Sequence, residues 1–174
     1  KPKDDGACNH LTNKQIPDIS LPNQDGNFLK LSRSDTFRLI IYCYPMTGNP
    51  NTTLPKNWDR IPGARGCTPE TCSFRDAHDD LVTRNAVPVG LSTQSVPDIK
   101  EMTARLLIPY DVVSDEHLSF VNQLRLPTFK VEDKVYIKRL TLIVEKSIIK
   151  HFFYPVFPPD LHVKEVLQWL HSNR

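Results

Sequence analysis

The sequence feature that most constrains the fold is a long apolar run at residues 37–44, FRLIIYCY. A strand with one solvated face alternates apolar and polar residues, whereas a strand buried on both faces is apolar throughout. We therefore predict that this run forms the central strand of a sheet that is covered on both faces. Cys43 lies within the run, and we interpret it as an inert core residue.

Strand and helix patterns alternate along the rest of the chain. A turn signal at residues 23–26 separates two apolar segments and predicts a hairpin over residues 17–32. The other predicted strands span residues 86–93, 110–114, 128–131, 135–144 and 148–154, and the predicted helices span residues 68–85, 97–107, 116–124 and 160–171. This order predicts a single α/β layered domain over residues 1–174. Residues 1–14 are polar and are predicted to form a loose arm that carries Cys8.

Composition and charge exclude several classes of protein. With 174 residues and 39% apolar content, the chain is long enough for one domain with a substantial core. The formal net charge of +2 indicates neither a nucleic-acid footprint nor a membrane-surface patch. No apolar run approaches the roughly 18 residues that a transmembrane helix needs. The four cysteines are too few for a disulfide scaffold, and their spacing does not match a zinc site.

Two of the cysteines, Cys67 and Cys72, lie in residues 63–76, GARGCTPETCSFRD. Thr68 suits the N-cap and Pro69 suits the first position of the helix that follows. Cys67 therefore lies at or just before a helix N-terminus, where free backbone N–H groups and the helix dipole favour a thiolate. Because the thiolate is the nucleophilic form, Cys67 is a candidate nucleophile.

The spacing of these two cysteines restricts how they could react with each other. Five positions apart on a helix, their Cα atoms would be about 8–9 Å apart. A disulfide needs less than about 7 Å, so a bond between Cys67 and Cys72 would require the first turn or two of the helix to unwind. The alternative is that both are ordinary small buried residues, and the spacing alone leaves both interpretations open.

The segment before Cys67 is long and irregular. Residues 45–66 are rich in Pro, Gly and Asn and have no strand or helix pattern. Connections of this length in compact domains are usually functional or disordered. The neutral alternative is a tolerated insertion.

Four motifs together point to a known family. They are GCTPETCSFRD at residues 66–76, GLST at residues 90–93, VSD at residues 113–115 and RLT at residues 139–141. On these motifs the chain resembles the peroxiredoxins, most closely the bacterioferritin-comigratory or PrxQ type, over about residues 16–169. The resemblance implies a thioredoxin-like α/β fold, with a central mixed sheet flanked by helices and an N-terminal hairpin.

The same resemblance implies roles for individual residues. Cys67 corresponds to the peroxidatic cysteine, and Cys72 to the resolving cysteine that forms an intramolecular disulfide with it. Arg139 resembles the family arginine that stabilises the thiolate and orients the peroxide. The implied activity is that of an atypical 2-Cys peroxidase, which reduces hydrogen peroxide and organic hydroperoxides and is recycled by thioredoxin or a similar dithiol.

Further expectations follow from this family. No metal, haem or nucleotide cofactor is implied, and neither nucleic acid nor membrane is expected as a partner. We expect a monomer or homodimer, with a cytoplasmic location.

The sequence departs from the family pattern just before Cys67. The family motif places a Thr or Ser three residues before the peroxidatic cysteine, and here that residue is Ala64. A Tyr-Pro-x-Thr segment appears earlier, with Pro45 and Thr47, so residues 46–66 are predicted to contain an insertion. We expect Thr47 to supply the missing hydroxyl and Pro45 to shield the site. Pro62 is an alternative shielding residue.

Two alternatives from other classes stay open. A general thiol–disulfide oxidoreductase would act on protein disulfides, although its usual C-x2-C motif is missing. A non-catalytic redox sensor or binding module with the same fold would use the cysteines without turnover, and Ala64 and the insertion would then mark lost catalysis.

Overall fold

The apolar run forms the middle strand of a five-stranded sheet, as predicted. The structure is a computed structural model that describes residues 1–32, 35 and 37–174. Its strands are β1 (Ser20–Pro22), β2 (Phe28–Lys30), β3 (Arg38–Cys43), β4 (Ala86–Ser92), β5 (Val112–Ser114), β6 (Thr128–Val131), β7 (Lys134–Ile137), β8 (Leu140–Glu145) and β9 (Ile148–Phe153). Its helices are α1 (Cys67–Asp76), α2 (His78–Thr83), α3 (Val96–Arg105), α4 (Ser119–Leu124) and α5 (His162–Ser172), with a 3-10 turn at Trp58–Arg60.

The central sheet is mixed. Its strand order is β5-β4-β3-β8-β9, with β3 parallel to β4 and β4 parallel to β5. On the other side β8 runs antiparallel to both β3 and β9. Two small antiparallel pairs, β1 with β2 and β6 with β7, lie outside this sheet. The predicted N-terminal hairpin is therefore confirmed as β1 and β2.

Both faces of β3 are buried, because its side chains alternate between two apolar clusters. Leu39, Ile41 and Cys43 join the cluster that also contains residues of the N-terminal segment, the β1–β2 hairpin and α4. Ile40 and Tyr42 join the cluster formed with α1, α2, α3 and α5. The sheet is thus covered on both faces.

The N-terminal segment differs from the loose arm that was predicted for residues 1–14. Cys8 and Leu11 are fully buried in the first cluster. The Asn13 N–H donates to the Ile149 carbonyl at 2.8 Å, which ties the segment to β9. The prediction was wrong because the apolar side chains of Cys8 and Leu11, although isolated in a polar stretch, pack into that cluster.

The helix that carries the two cysteines begins earlier than predicted and is interrupted. Gly66, at φ 103°, is the N-cap, so Cys67 and not Pro69 is the first helical residue. A Cβ at Gly66 would lie 2.3 Å from Cγ of Pro159, so this position favours glycine by both its conformation and its packing. Ala77 separates α1 from α2, which divides the single helix predicted over residues 68–85.

The strand predicted over residues 135–144 also proves to be two strands. β7 pairs with β6 in the small hairpin, whereas β8 enters the central sheet beside β3. Lys138 and Arg139 lie at the corner between them, and Arg139 turns inward with only 4% of its surface exposed.

The irregular segment before α1 packs against the β6–β7 hairpin. Trp58 is 3% exposed, and its ring lies 5.0 Å from that of Tyr136 and 5.7 Å from that of Phe129. Ala64 belongs to the same small cluster.

None of the helices in the described ranges combines the length and the apolar character needed to span a bilayer.

Asp115, in the VSD motif, provides a test of this fold. Its Oδ1 accepts the Phe120 N–H at 3.0 Å and its Oδ2 accepts the Val121 N–H at 2.9 Å, which holds the start of α4. Asp115→Ala would leave both buried donors without this acceptor. We expect the free energy of unfolding to fall by about 1–3 kcal/mol in urea denaturation. Glu116→Ala removes the adjacent exposed carboxylate and should change it by less than about 0.5 kcal/mol. Equal losses in the two variants would contradict this role for Asp115.

Candidate active site

Cys67 occupies the first position of α1, where the sheet, the irregular loop and Arg139 meet. Its side chain is 3% exposed, and its thiol lies 3.7 Å from the Ala64 carbonyl, to which it can donate. Arg139 Nη2 donates to Cys67 Sγ at 3.0 Å. The backbone N–H of Met46 lies close enough to lower the pKa of this thiol. Both groups therefore stabilise a thiolate more strongly than a thiol.

Arg139 connects the cysteine to a buried carboxylate. Its Nη1 donates to Glu70 Oε1 at 2.7 Å, and both side chains are almost completely buried. Its Nη2 also lies 3.0–3.4 Å from the carbonyl oxygens of residues 63–65. One guanidinium thus holds the end of the irregular loop, the start of α1 and the sulfur in a fixed arrangement.

Opposing effects act on the pKa of Cys67, whereas its position at the helix start alone predicts only a lower pKa. Burial raises the pKa of the Cys67 thiol, and the nearby Glu70 charge adds to this rise. The Arg139 guanidinium and the Met46 N–H oppose the rise. A position at a helix N-terminus favours the thiolate, but the sequence does not show how far the site is removed from water.

Glu70 is a site residue that sequence reasoning missed. Burial raises its pKa to about 7, although Arg139 acts in the opposite direction. Three positions after Cys67 and four before Phe74, it lies on the apolar face of α1. A carboxylate at helical spacing on an apolar face was the signal that could have identified it.

Unpartnered polar atoms concentrate at this site. Within the described ranges, the buried side-chain nitrogen and oxygen atoms without a hydrogen bond are Tyr44 Oη, Glu70 Oε2 and Arg139 Nε. Buried polar groups normally have partners, so three exceptions around one thiol are a functional signal. The described residues contain no group of three or more His, Cys, Asp or Glu side chains that could hold a metal ion.

Cys72 lies on the same helix and is half-buried, and both it and Cys67 are free thiols. Because the segment between them is helical, their Cα atoms are about 8–9 Å apart by helix geometry. A direct disulfide is therefore incompatible with the intact first turns of α1.

The segment with Pro45 and Thr47 lies at the site, but the group in it that acts on Cys67 is the backbone of Met46. Thr47 is buried, and its hydroxyl donates to Gln94 Oε1 at 3.3 Å. Pro45 is buried, and its carbonyl accepts from Ser92 Oγ at 3.2 Å. The contact to Cys67 comes from the intervening Met46 N–H, so the role of the Thr47 hydroxyl stays a prediction.

The alternative shielding residue, Pro62, is exposed. It lines a cavity of about 240 Å³ that also borders Arg139 and Gly63. Ala64 is fully buried and contributes its carbonyl, not a side-chain hydroxyl, to the surroundings of Cys67. The shielding roles of Pro45 and Pro62 therefore remain predictions.

Comparison with known proteins places the chain in a family. A family model described as Redoxin matches residues 11–170. Peroxiredoxin Q, a chloroplastic protein of Oryza sativa subsp. japonica, is 24% identical over 157 residues, which cover 90% of this chain and 64% of the rice protein. The chain therefore spans slightly less than two thirds of that relative.

Solved structures agree with this assignment. Peroxidoxin BcpB from Mycobacterium tuberculosis matches with a TM-score of 0.78 and 24% identity, covering 95% of this chain and 99% of that one. The bacterioferritin comigratory protein of Xanthomonas campestris, whose structures concern its alkyl peroxide reduction activity, matches with a TM-score of 0.70 and 20% identity, covering 91% and 96%. The thioredoxin-like fold predicted from the sequence is confirmed, and the chain belongs to the Redoxin family.

Proposed function

We propose that the chain is a thiol-dependent peroxidase that reduces hydrogen peroxide and organic hydroperoxides with Cys67. The observation that carries this proposal is the contact of Arg139 with one buried sulfur, in which Nη2 donates to Cys67 Sγ at 3.0 Å. The alkyl peroxide reduction studied in the Xanthomonas campestris relative supports organic hydroperoxides as a substrate class.

In the first step, the Cys67 thiolate attacks one oxygen of the peroxide. The S–O bond forms as the O–O bond breaks, and the departing oxygen takes a proton to leave as water or an alcohol. Cys67 is oxidised to a sulfenic acid, and the peroxide is reduced. Donors held in place beforehand stabilise the charge that moves from sulfur to the departing oxygen, which is the role we assign to Arg139 and Met46.

In the second step, the Cys72 thiolate attacks the Cys67 sulfur. The disulfide forms, and the sulfenic oxygen leaves as water with the proton that Cys72 gave up. The start of α1 unwinds to allow this contact. A dithiol, which we propose to be thioredoxin or a protein like it, then reduces the disulfide and becomes a disulfide itself. The monomeric or homodimeric state and the cytoplasmic location stay predictions.

A redox sensor is the second candidate, because one observation favours it. The burial that raises the pKa of Cys67 also keeps its side chain 3% exposed, and both properties slow a peroxidase. A sensor would consume peroxide only in proportion to the amount of protein present, and the consumption would then stop. A general thiol–disulfide oxidoreductase would instead reduce insulin disulfides, and no contact at the site favours that activity.

Thioredoxin-coupled peroxide turnover of wild type, Cys67→Ser and Cys72→Ser tests the proposal. We expect sustained turnover in wild type, none without Cys67, and a stop after one equivalent of peroxide without Cys72. Cys43→Ser, which changes a buried core cysteine, is the control and should retain turnover if it folds. Wild type that stops after one equivalent with reduced thiols would favour the sensor.

Glu70→Gln tests the electrostatics of the site. The amide keeps an acceptor for Arg139 but removes the negative charge that raises the pKa of Cys67. We therefore expect the variant to form its thiolate at lower pH, measured by ultraviolet absorbance with Cys67→Ser as the blank. Because the pKa of Glu70 is about 7, the difference should be largest above pH 7, where wild-type Glu70 is charged. A thiolate titration that stays in place or moves to higher pH would contradict this electrostatic role.

Thr47→Val tests whether the threonine assists the reaction. If its hydroxyl turns from Gln94 to the peroxide, the variant should lose about 100-fold in the rate of Cys67 oxidation, as when one donor to a developing charge is removed. The fold should be unchanged, since valine has the same shape. Thr53→Val in the exposed part of the same loop is the matched control. Wild-type kinetics in Thr47→Val would remove this residue from the mechanism.

A further inference from the structure

A buried cluster of hydroxyl groups holds the turn of α1 that precedes Cys72. It joins Tyr42 on β3, Tyr110 just before β5, and Thr71 on α1. The two tyrosine hydroxyls are 2.8 Å apart. Tyr110 Oη donates to the Thr71 carbonyl at 3.0 Å, and Tyr42 Oη lies 3.4 Å from Thr71 Oγ1. All three residues are buried, so the hydroxyls make their hydrogen bonds with one another and with the Thr71 carbonyl.

The position of the Tyr42 hydroxyl is set by close packing. The Tyr42 ring stacks on Phe74 of α1, with ring centroids 4.4 Å apart and an interplanar angle of 6°. A Cβ at Gly90, which is the partner of Tyr42 on β4, would lie only 2.8 Å from Tyr42 Oη. The glycine of the GLST motif therefore allows the tyrosine to fit against β4. The hydroxyl cluster is consequently a fixed part of the sheet, and α1 is the element attached to it.

Thr71 is the residue directly before Cys72, and this places the cluster on the route to the disulfide. Cys72 cannot reach Cys67 while the first turns of α1 are helical, because their Cα atoms are about 8–9 Å apart. Unwinding those turns moves the Thr71 backbone and breaks its bond to Tyr110. Each hydrogen bond that must be lost lowers the population of the unwound state.

We infer that the hydroxyls of Tyr42 and Tyr110 are positioning groups for the resolving cysteine, which hold Thr71 in α1 and thereby set the rate of disulfide formation. The inference rests on the proposed function. The hydroxyls act through Thr71 and have no part in the oxidation of Cys67. Their effect is therefore confined to the step that does not involve peroxide.

This rate decides between two outcomes for oxidised Cys67. In one, Cys72 displaces the sulfenic oxygen as water and the disulfide forms. In the other, the sulfenate attacks a second peroxide molecule, gains its oxygen as a sulfinate, and releases water or an alcohol. A tighter hold on Thr71 favours the second outcome, and a looser hold favours the first.

Single-turnover oxidation of Tyr42→Phe and Tyr110→Phe tests the inference. The reduced protein is mixed with hydrogen peroxide, and the sulfenic, disulfide and sulfinic forms are followed by quenching and mass spectrometry. We expect disulfide formation to be about two- to tenfold faster in each variant, as expected from the net contribution of one hydrogen bond. The sulfinic fraction at high peroxide should fall in parallel, while the peroxide-dependent oxidation of Cys67 should keep its wild-type rate.

Tyr136→Phe is the matched control. This tyrosine is also buried, but its ring packs against Trp58 and Phe129. Its substitution should leave both steps unchanged. If either tyrosine variant fails to fold, Thr71→Val, which keeps the side-chain shape and removes only the hydroxyl, should still accelerate disulfide formation.

The outcomes separate this inference from the proposed function. A wild type that forms the disulfide, with equal or slower disulfide formation in the variants, would overturn the positioning role and leave the peroxidase intact. A wild type that is oxidised at Cys67 but never forms the bond to Cys72 would overturn the proposed resolving step and the positioning role with it. Acceleration in Tyr136→Phe equal to that in the tyrosine variants would also overturn the inference, since the effect would then not be specific to Thr71.

Discussion

The structure around the reactive thiol depends on one buried cation, the Arg139 guanidinium. It is almost inaccessible to water, and its two terminal nitrogens contact a carboxylate, a thiol and three backbone carbonyls. A cation in such a place is stable only when its charge is paired, and removing one partner of a buried pair costs about 3–5 kcal/mol. The loop end, the first turn of α1 and the corner before β8 are therefore mutually dependent. None of the three can be displaced without leaving charge or polar groups unpaired.

This arrangement makes two anions share one cation. Burial raises the pKa of both Cys67 and Glu70, so each group resists ionisation, and Arg139 acts against that resistance at both. When Glu70 is protonated, the guanidinium is left to stabilise the thiolate alone. When Glu70 is charged, the thiolate has to form beside a second negative charge. The reactivity of the sulfur is thus linked to the protonation of a residue that never contacts the substrate in the proposed mechanism.

Local patterns predicted the elements of this fold well, and distant contacts explain where they failed. The central strand, the N-terminal hairpin and the position of Cys67 beside a helix N-terminus could be predicted, because apolar periodicity, turn residues and cap residues are local. The thioredoxin-like fold followed from the resemblance of four short motifs to a known family. The N-cap was placed at Thr68 because its sequence suits a cap, whereas the structure uses Gly66, which packs on Pro159 from the far end of the chain. The burial of Glu70 depends on Arg139, which comes from a different strand. Cys8 is buried for the same kind of reason, since its position depends on β9 and α4, which a short sequence window does not show.

Both ends of the irregular loop before α1 lie at the Cys67 thiol. It begins at Met46, whose N–H lowers the pKa of Cys67, and it ends at Cys67 itself, while Trp58 packs its middle on the β6–β7 hairpin. The extra residues therefore follow a defined path, and the entropy of closing the loop is lost during folding and not at each turnover. The path of the loop to the sulfur therefore depends on the ring packing of Trp58 against Phe129 and Tyr136, and not on the loop residues alone.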